Sequence, residues 1–287
     1  MSRIVYVNGE FVPEEEARVS VFDRGFMFAD GVYEVSSVLR GQLIENQGHM
    51  LRLRRSLSEL DMASPATDEE IEAIQKSLIE RNNLEEGLIY LQVTRGAADR
   101  DFAYPKDTQP TLVLFTQAKS IMNNPVADTG ISVITVEDIR WKRRDIKTVG
   151  LLAPCMAKMQ AKAAGADDAW LVEAGFITEG SSNNAYIVTQ DGTLVTRQIG
   201  NEILNGITRR AVLALAEAHN YTIEERLFSV EECYQAAEAF ITSATTFVQP
   251  VVKIDDAVIG NGQPGPVAKQ LREFYVEMAL AEVASTD

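Results

Sequence analysis

Short runs rich in β-branched and aromatic residues alternate with helical patterns along the chain, and this order constrains its fold most strongly. Two such runs flank Asn8-Gly9, a dipeptide typical of a tight hairpin turn. Other strands are predicted at 32–38, 88–94, 111–116, 131–136, 169–172, 185–189 and 194–196. Asp191-Gly192 marks a second hairpin turn. Many short strands therefore have to be paired into sheets.

Helical patterns lie between these strands. Residues 48–62 place Met50, Leu53 and Leu57 on one face, and a second helix begins at Thr67, which forms a capping box with Glu70. Ser229 and Glu232 predict another capping box. Further helices are expected at 154–165, 208–219, 229–236 and 266–284. The fold class is therefore mixed α and β.

The length of 287 residues, with 46% hydrophobic content, permits one large domain or two modest ones. A stretch with two Asn, a Pro and an Asp-Thr-Gly turn is the best candidate for an interdomain connection. We expect a small N-terminal α/β domain at 1–118, a connection at 119–130 and a larger C-terminal domain at 131–287.

Composition excludes several classes of partner. The formal charge of −15 argues against nucleic acid or an anionic membrane as a partner. Two cysteines and two histidines, without metal-binding spacing, do not predict a zinc site or any other metal site. The first residues lack the apolar core of a signal peptide, and cysteine usage favours a cytoplasmic location.

Several polar motifs stand out from the periodic pattern. Glu179-Gly-Ser-Ser-Asn-Asn184 is followed by Leu204-Asn-Gly-Ile-Thr-Arg209. Upstream lie His49-x-x-Arg52-Leu53 and the basic run from Arg140 to Lys147. Taken alone, that run would favour Lys147 as an ordinary surface lysine, because Lys142, Arg143 and Arg144 are close by in the sequence.

Together these blocks resemble the class IV pyridoxal-phosphate (PLP) aminotransferases over nearly the whole chain. The segment after Glu179 is most similar to the D-amino-acid transaminases of that family. The resemblance implies fold type IV, with a C-terminal pseudo-barrel domain and PLP bound between the two domains. It also implies a homodimer.

The resemblance gives Lys147 the catalytic role. It would bind the cofactor as a Schiff base and then move protons in a ping-pong cycle, and residues 140–147 would form the strand that carries it. Glu179 would face the pyridine nitrogen and keep it protonated. The alternative for Glu179 is a turn glutamate that accepts hydrogen bonds from the Gly-Ser-Ser backbone.

The cofactor phosphate would lie at the start of the helix after Gly206, where free backbone N–H groups favour an anion. The expected phosphate contacts come from Arg52, Ile207, Thr208, Ser243, Ala244 and Thr245. Thr208 is also a candidate N-cap. Ala244 stands where D-amino-acid transaminases usually have a hydroxyl, so the contact there is left to backbone or to neighbouring hydroxyls.

Substrate recognition is expected from Tyr33, Arg100 and Phe102. In D-amino-acid transaminases an Arg-x-His loop and a tyrosine hold the substrate carboxylate. Here Arg100 and Tyr33 are present, but Phe102 replaces the histidine. The alternative for Arg100 is an ordinary charged loop tip.

We predict amino-group transfer from a D-amino acid such as D-alanine to a 2-oxo acid such as 2-oxoglutarate. Three alternatives remain open from the sequence. They are an (R)-selective amine transaminase, a branched-chain L-amino-acid aminotransferase and an aminodeoxychorismate lyase.

Overall fold

The structure, a computed structural model, describes residues 2–285 and consists of two compact units. Unit 1 contains residues up to 120, the short segment 146–150 and the C-terminal residues from 280. Unit 2 contains 121–145 and 151–279. Both units are discontinuous in sequence, a feature that the predicted linear division at 118 and 131 does not include.

Unit 1 is built on an antiparallel sheet in the order β2-β1-β6-β5-β3-β4. Its elements are β1 (Ile4–Val7), β2 (Glu10–Pro13), α1 (Arg24–Phe28), β3 (Gly31–Leu39), β4 (Gln42–Ile44), α2 (Asn46–Glu59), α3 (Asp68–Arg81), β5 (Glu86–Thr94) and β6 (Thr111–Ala118). Asn8 and Gly9 both have positive φ, as the predicted β1–β2 turn requires.

The core of unit 1 lies between its sheet and its two long helices. Met50, Leu53 and Leu57 on α2 are buried in one cluster with Ile89 and Leu91 on β5. The apolar stripe predicted for α2 is therefore the face that packs on the sheet. The capping box of Thr67 and Glu70 starts α3, as predicted.

Unit 2 contains a nine-stranded mixed sheet in the order β12-β11-β10-β13-β14-β7-β8-β9, with β15 paired to β14. Its elements are α4 (Val126–Thr129), β7 (Ile131–Glu137), α5 (Leu152–Ala163), β8 (Asp168–Glu173), β9 (Phe176–Gly180), β10 (Asn184–Val188), β11 (Leu194–Thr196), α6 (Ile207–Ala218), β12 (Ile223–Glu225), α7 (Val230–Tyr234), β13 (Glu238–Ser243), β14 (Phe247–Ile254), β15 (Ala257–Val258) and α8 (Pro266–Ala284), of which residues 280–284 belong to unit 1.

Two predictions of local structure were wrong. Residues 140–147 do not form a strand; Lys147 lies in an irregular segment in which only Thr148 makes an isolated bridge, to Val32. Thr208 is not an N-cap, because α6 begins one residue earlier and Gly206 caps it. Sequence also missed α1, whose N-cap Asp23 accepts a hydrogen bond from the Gly25 backbone N–H.

Among the described residues, none of the helices combines the length and the apolar character needed to cross a membrane.

Candidate active site

The segment that carries Lys147 is held in unit 1 by the edge of β3. The Tyr33 N–H donates to the Lys147 carbonyl and the Val149 N–H donates to the Gly31 carbonyl, both at 3.0 Å. The Lys147 Nζ atom lies 4.0 Å from the centre of the Tyr33 ring. The structure therefore brings together the predicted nucleophile and a predicted substrate-binding tyrosine.

A buried ionic cluster lies behind this strand, on α2 and β3. Arg52 makes a bidentate contact with the Glu34 carboxylate: Nε donates to Oε1 at 2.8 Å and Nη2 donates to Oε2 at 2.7 Å. His49 Nδ1 lies 2.7 Å from the same Oε2 atom. The planar guanidinium suits this bidentate contact, which fixes its orientation.

The charges in this cluster are strongly coupled. Burial alone would raise the pKa of Glu34, but Arg52 and His49 lower it to about 2. Burial lowers the pKa of His49, against the hydrogen bond and charge of Glu34, and the charges of Arg52 and Lys147 lower it further. Glu34 is therefore ionised and His49 neutral at neutral pH, and His49 lies within the electrostatic range of both Arg52 and Lys147.

This cluster predicts a loss of folding stability as the pH falls. Below the ordinary His pKa of 6.5 the unfolded chain binds a proton that folded His49 does not, so stability declines from about that pH. The contribution of Glu34 is complete above its ordinary pKa of 4.5 and is lost as pH falls through about 2. Urea midpoints measured between pH 8 and 4 check the His49 part of this decline. A His49→Gln variant should lose the decline in stability that begins near pH 6.5. An unchanged pH profile in that variant would contradict the role given to His49.

The predicted substrate loop lies in the same unit, on the side of α1. The Arg100 guanidinium carbon is 5.5 Å from the centre of the Phe28 ring and 5.4 Å from that of Phe102. Phe102 itself is 76% exposed. Arg100 thus lies with two aromatic rings, whereas Tyr33 lies with Lys147 and stacks on Tyr90.

In unit 2, Glu179 ends up deeply buried at the end of β9. Its Oε1 atom accepts from Arg140 Nη1 at 2.5 Å, and its Oε2 atom accepts from Asn184 Nδ2 and from the Leu204 backbone N–H, both at 3.1 Å. Burial raises the pKa of Glu179, opposed by Arg140 and by the Leu204 N–H, while the charge of Asp138 raises it further. Three donors on a carboxylate with about four acceptor positions leave room for one more donor.

The start of α6 is an N-terminus that no side chain caps. Gly206 is packed so closely that an added Cβ would lie 2.2 Å from Asn184 Oδ1. Ile207 and Thr208 occupy the first turn and are buried. Backbone N–H groups without a side-chain cap suit an anion such as a phosphate.

The turn after β13 contains the other predicted phosphate residues. Ser243 ends the strand, and its hydroxyl lies 2.8 Å from that of Thr246; Ala244 and Thr245 form the turn between them. Arg272 on α8 donates to the Thr246 carbonyl at 2.7 Å and to the Val248 carbonyl at 3.0 Å. The α8 helix therefore fixes the end of this turn through Arg272.

Each unit thus collects one part of the predicted site. Unit 1 contains Tyr33, Arg52, Arg100, Phe102 and Lys147. Unit 2 contains Glu179, Ile207, Thr208, Ser243, Ala244 and Thr245. The donor sets fit PLP chemically, because unit 2 offers a buried carboxylate for a protonated ring nitrogen and an uncapped helix start for a phosphate, and unit 1 offers an amine for an aldehyde.

Several residues that support this site were not predicted from the sequence. Glu34 lies in the strand predicted at 32–38 and His49 in the His49-x-x-Arg52 motif, and neither was given a role, although a carboxylate within a β-branched strand pattern is a signal of a buried ion pair. Asp138 and Arg140 were also without a role, and only the fold brings them to Glu179. Lys158 on α5 lies 3.2 Å from Asp168 Oδ1, which also accepts a hydrogen bond from Ser181 in the turn after Glu179.

Comparison with known proteins identifies the family. The family described as Amino-transferase class IV matches residues 31–254. A D-alanine aminotransferase from Staphylococcus haemolyticus is 40% identical over 274 residues, which cover 94% of this chain and 96% of that protein. A D-alanine aminotransferase from Bacillus licheniformis is 37% identical over 284 residues, covering 98% of this chain and 99% of that protein.

The solved structures agree in fold. A branched-chain amino acid aminotransferase from the archaeon Thermoproteus uzoniensis, with norvaline, superposes with a TM-score of 0.87 at 27% identity, covering 98% of this chain and 96% of that chain. Another branched-chain amino acid aminotransferase, with pyridoxamine 5'-phosphate, superposes with a TM-score of 0.89 at 28% identity, covering 96% of this chain and 94% of that chain. Class IV aminotransferases depend on PLP, so the predicted fold, enzyme class and cofactor are confirmed, and an amino donor and an oxo-acid acceptor follow as substrates. The chain belongs to the PLP-dependent class IV aminotransferases.

Proposed function

We propose that this enzyme transfers the amino group of a D-amino acid, with D-alanine as the donor, to a 2-oxo acid such as 2-oxoglutarate. The observation that carries this proposal is the similarity to D-alanine aminotransferases at 37–40% identity along nearly the full length of both chains. The preserved Arg100 and Tyr33 support it, because a substrate carboxylate needs a cation and a hydroxyl donor.

Lys147 is the proposed catalytic residue. PLP supplies an aldehyde that binds amines and a ring that withdraws electrons from the substrate carbon. The Lys147 amine would bind that aldehyde. When the substrate amine takes its place, the Lys147 amine would carry the proton between the substrate α-carbon and the cofactor carbon. The Tyr33 ring beside Nζ restricts where this amine can lie.

Glu179 is the proposed partner of the ring nitrogen. It is 5% exposed, and three hydrogen bonds hold its two oxygen atoms in place. A fixed carboxylate stabilises the protonated nitrogen, and the protonated ring is the better electron acceptor.

The phosphate contacts predicted from the sequence complete the proposed cofactor residues. The first turn of α6 would contribute the backbone N–H groups of Ile207 and Thr208, together with the Thr208 hydroxyl. Arg52 would contribute its charge while Glu34 holds the guanidinium in one orientation. In the turn after β13, the Ser243 hydroxyl and the backbone of Ala244 and Thr245 would complete the set.

We also infer a homodimer, supported by exposed apolar side chains in unit 1. Phe22, Phe26 and Phe102 are 54%, 79% and 76% exposed. The Ala98 N–H donates to the Phe22 carbonyl, so the segments that carry these rings are adjacent. Apolar patches of this kind mark interfaces.

The two cysteines form no disulfide, which is in keeping with the proposed cytoplasmic location.

A second candidate function, an (R)-selective amine transaminase, is favoured by one observation. Phe102 presents an apolar ring next to Arg100, where D-amino-acid transaminases carry a histidine donor. An apolar surface there suits a substrate without a carboxylate. The branched-chain aminotransferase and the lyase remain further alternatives without an observation of this kind.

The proposal is tested by comparing amino donors with 2-oxoglutarate as acceptor, with glutamate formation as the readout. We expect kcat/KM for D-alanine to exceed that for L-leucine and for (R)-1-phenylethylamine by at least about tenfold, the ratio given by 1.4 kcal/mol of differential transition-state binding. A higher value for the amine would select the second candidate, and a higher value for L-leucine would overturn the D-specific assignment. Pyruvate release from aminodeoxychorismate without an acceptor would select the lyase.

A further inference from the structure

The carboxylate proposed to face the cofactor nitrogen is held by an ion pair, Asp138–Arg140, to which the family resemblance gives no role. Asp138 and Arg140 follow β7, two residues apart, and both side chains are turned toward β9. Arg140 Nε donates to Asp138 Oδ1 at 2.9 Å and Nη2 donates to Oδ2 at 2.7 Å. This bidentate contact leaves the third nitrogen of the guanidinium, Nη1, directed at Glu179 Oε1.

Asp138 is itself fixed within the core of unit 2. Its side chain has no exposed surface. Its Oδ2 atom lies 2.7 Å from the Thr178 hydroxyl, and its backbone N–H donates to the Val172 carbonyl at 2.8 Å. Thr178 directly precedes Glu179 on β9. The position of Arg140 is therefore set by groups on the same strands that position Glu179.

The charges of Asp138, Arg140 and Glu179 alternate in sign, and Arg140 stabilises both carboxylates. Burial alone would raise the pKa of Asp138, but Arg140, followed by the Thr178 hydroxyl and the charge of Arg144, lowers it overall, so Asp138 is ionised. Burial would lower the pKa of Arg140, but the two carboxylates raise it above its usual value. Without Arg140, two buried carboxylates would face each other with less compensating charge, and Glu179 would gain a proton more readily.

We propose that Arg140 is a positioning residue: held by Asp138, it fixes and charge-compensates the Glu179 carboxylate, and it thereby sets how strongly Glu179 holds the proton on the cofactor's ring nitrogen. The inference rests on the proposed role of Glu179. A protonated or rotated Glu179 would offer the nitrogen no fixed anionic acceptor, so the ring would withdraw electrons less well.

The test measures binding rather than turnover. The full-length enzyme, freed of cofactor, is titrated with PLP and with 1-deaza-PLP, in which carbon replaces the ring nitrogen. Both compounds carry the same aldehyde and phosphate, so the ratio of their Kd values isolates the contact at the nitrogen. We expect the wild-type enzyme to prefer PLP by at least about tenfold, as for a hydrogen bond between charged groups.

The ratio of Kd values is expected to fall to about one in Arg140→Met. It should fall to an intermediate value in Arg140→Lys, because an ammonium keeps the charge but cannot reproduce the bidentate contact to Asp138 together with the contact to Glu179. Arg226→Met is the matched control, since Arg226 pairs with Glu224 and Glu232 on the surface; it should keep the wild-type ratio. If Arg140→Met does not fold, Arg140→Lys decides by the same ratio.

The outcomes separate two failures. A purely structural role of Arg140 would weaken both compounds equally and keep the ratio, and that result overturns the inference alone. A wild-type enzyme without any preference would overturn the role of Glu179 together with the inference. Neither result bears on the donor comparison that tests the D-amino-acid proposal.

Discussion

Lys147→Ala is expected to lower the rate of amino-group transfer by at least about 10³-fold, because in the proposed mechanism this one amine is both nucleophile and proton carrier. The variant should also lose the absorbance band of cofactor bound to the lysine, while still binding PLP through the other proposed cofactor contacts. The absorbance spectrum and single-turnover kinetics with D-alanine check both expectations.

The matched control for this variant is Lys162→Ala, another lysine-to-alanine change on an exposed position of α5. It should keep the wild-type spectrum and rate. Steady turnover at a wild-type rate in Lys147→Ala would remove Lys147 from the catalytic role, whatever the affinity for PLP.

The second large effect is expected on stability, at Glu34. Glu34→Gln removes the charge that compensates Arg52 in a site where the Glu34 side chain is 1% exposed and that of Arg52 is 10% exposed. Leaving a buried cation without its counterion costs about 3 kcal/mol or more. We expect a corresponding decrease in the free energy of unfolding, measured by urea titration of cofactor-free enzyme so that ligand binding adds nothing to it.

Glu59→Gln provides the comparison, since Glu59 pairs with Arg55 on the exposed face of the same helix, at 3.7 Å. An exposed pair of this kind contributes less than about 1 kcal/mol, so that variant should unfold close to the wild-type midpoint. Equal effects of the two substitutions would show that burial does not govern the Arg52–Glu34 pair.

Sequence predicted the elements whose causes are local. The Asn8-Gly9 turn and the capping boxes at Thr67 and Ser229 depend on residues within four positions of each other, and each is present as predicted. The blocks around Lys147 and Glu179 were found through their resemblance to a family. Local chemistry and family motifs therefore gave the class of the enzyme and the candidate residues.

What sequence could not give are the contacts between residues far apart in the chain. Arg140 reaches Glu179 across 39 positions, and nothing local in the basic run at 140–147 distinguishes Arg140 from its neighbours. The same run was wrongly predicted as a strand, because its charges have no periodicity and the segment is held by single bonds to β3 rather than by a continuous ladder. Thr208 failed as an N-cap because Gly206, packed against Asn184, begins the helix earlier.

The five residues 146–150 belong to a compact unit different from the residues on either side of them. A gene cut between codons 120 and 121 would therefore yield an N-terminal fragment without Lys147, the proposed nucleophile, and a C-terminal fragment that carries Lys147 without β3, the strand to which its segment bonds. Neither fragment alone would contain the pairing of the Lys147 segment with Gly31 and Tyr33, which lie more than a hundred positions earlier in the chain.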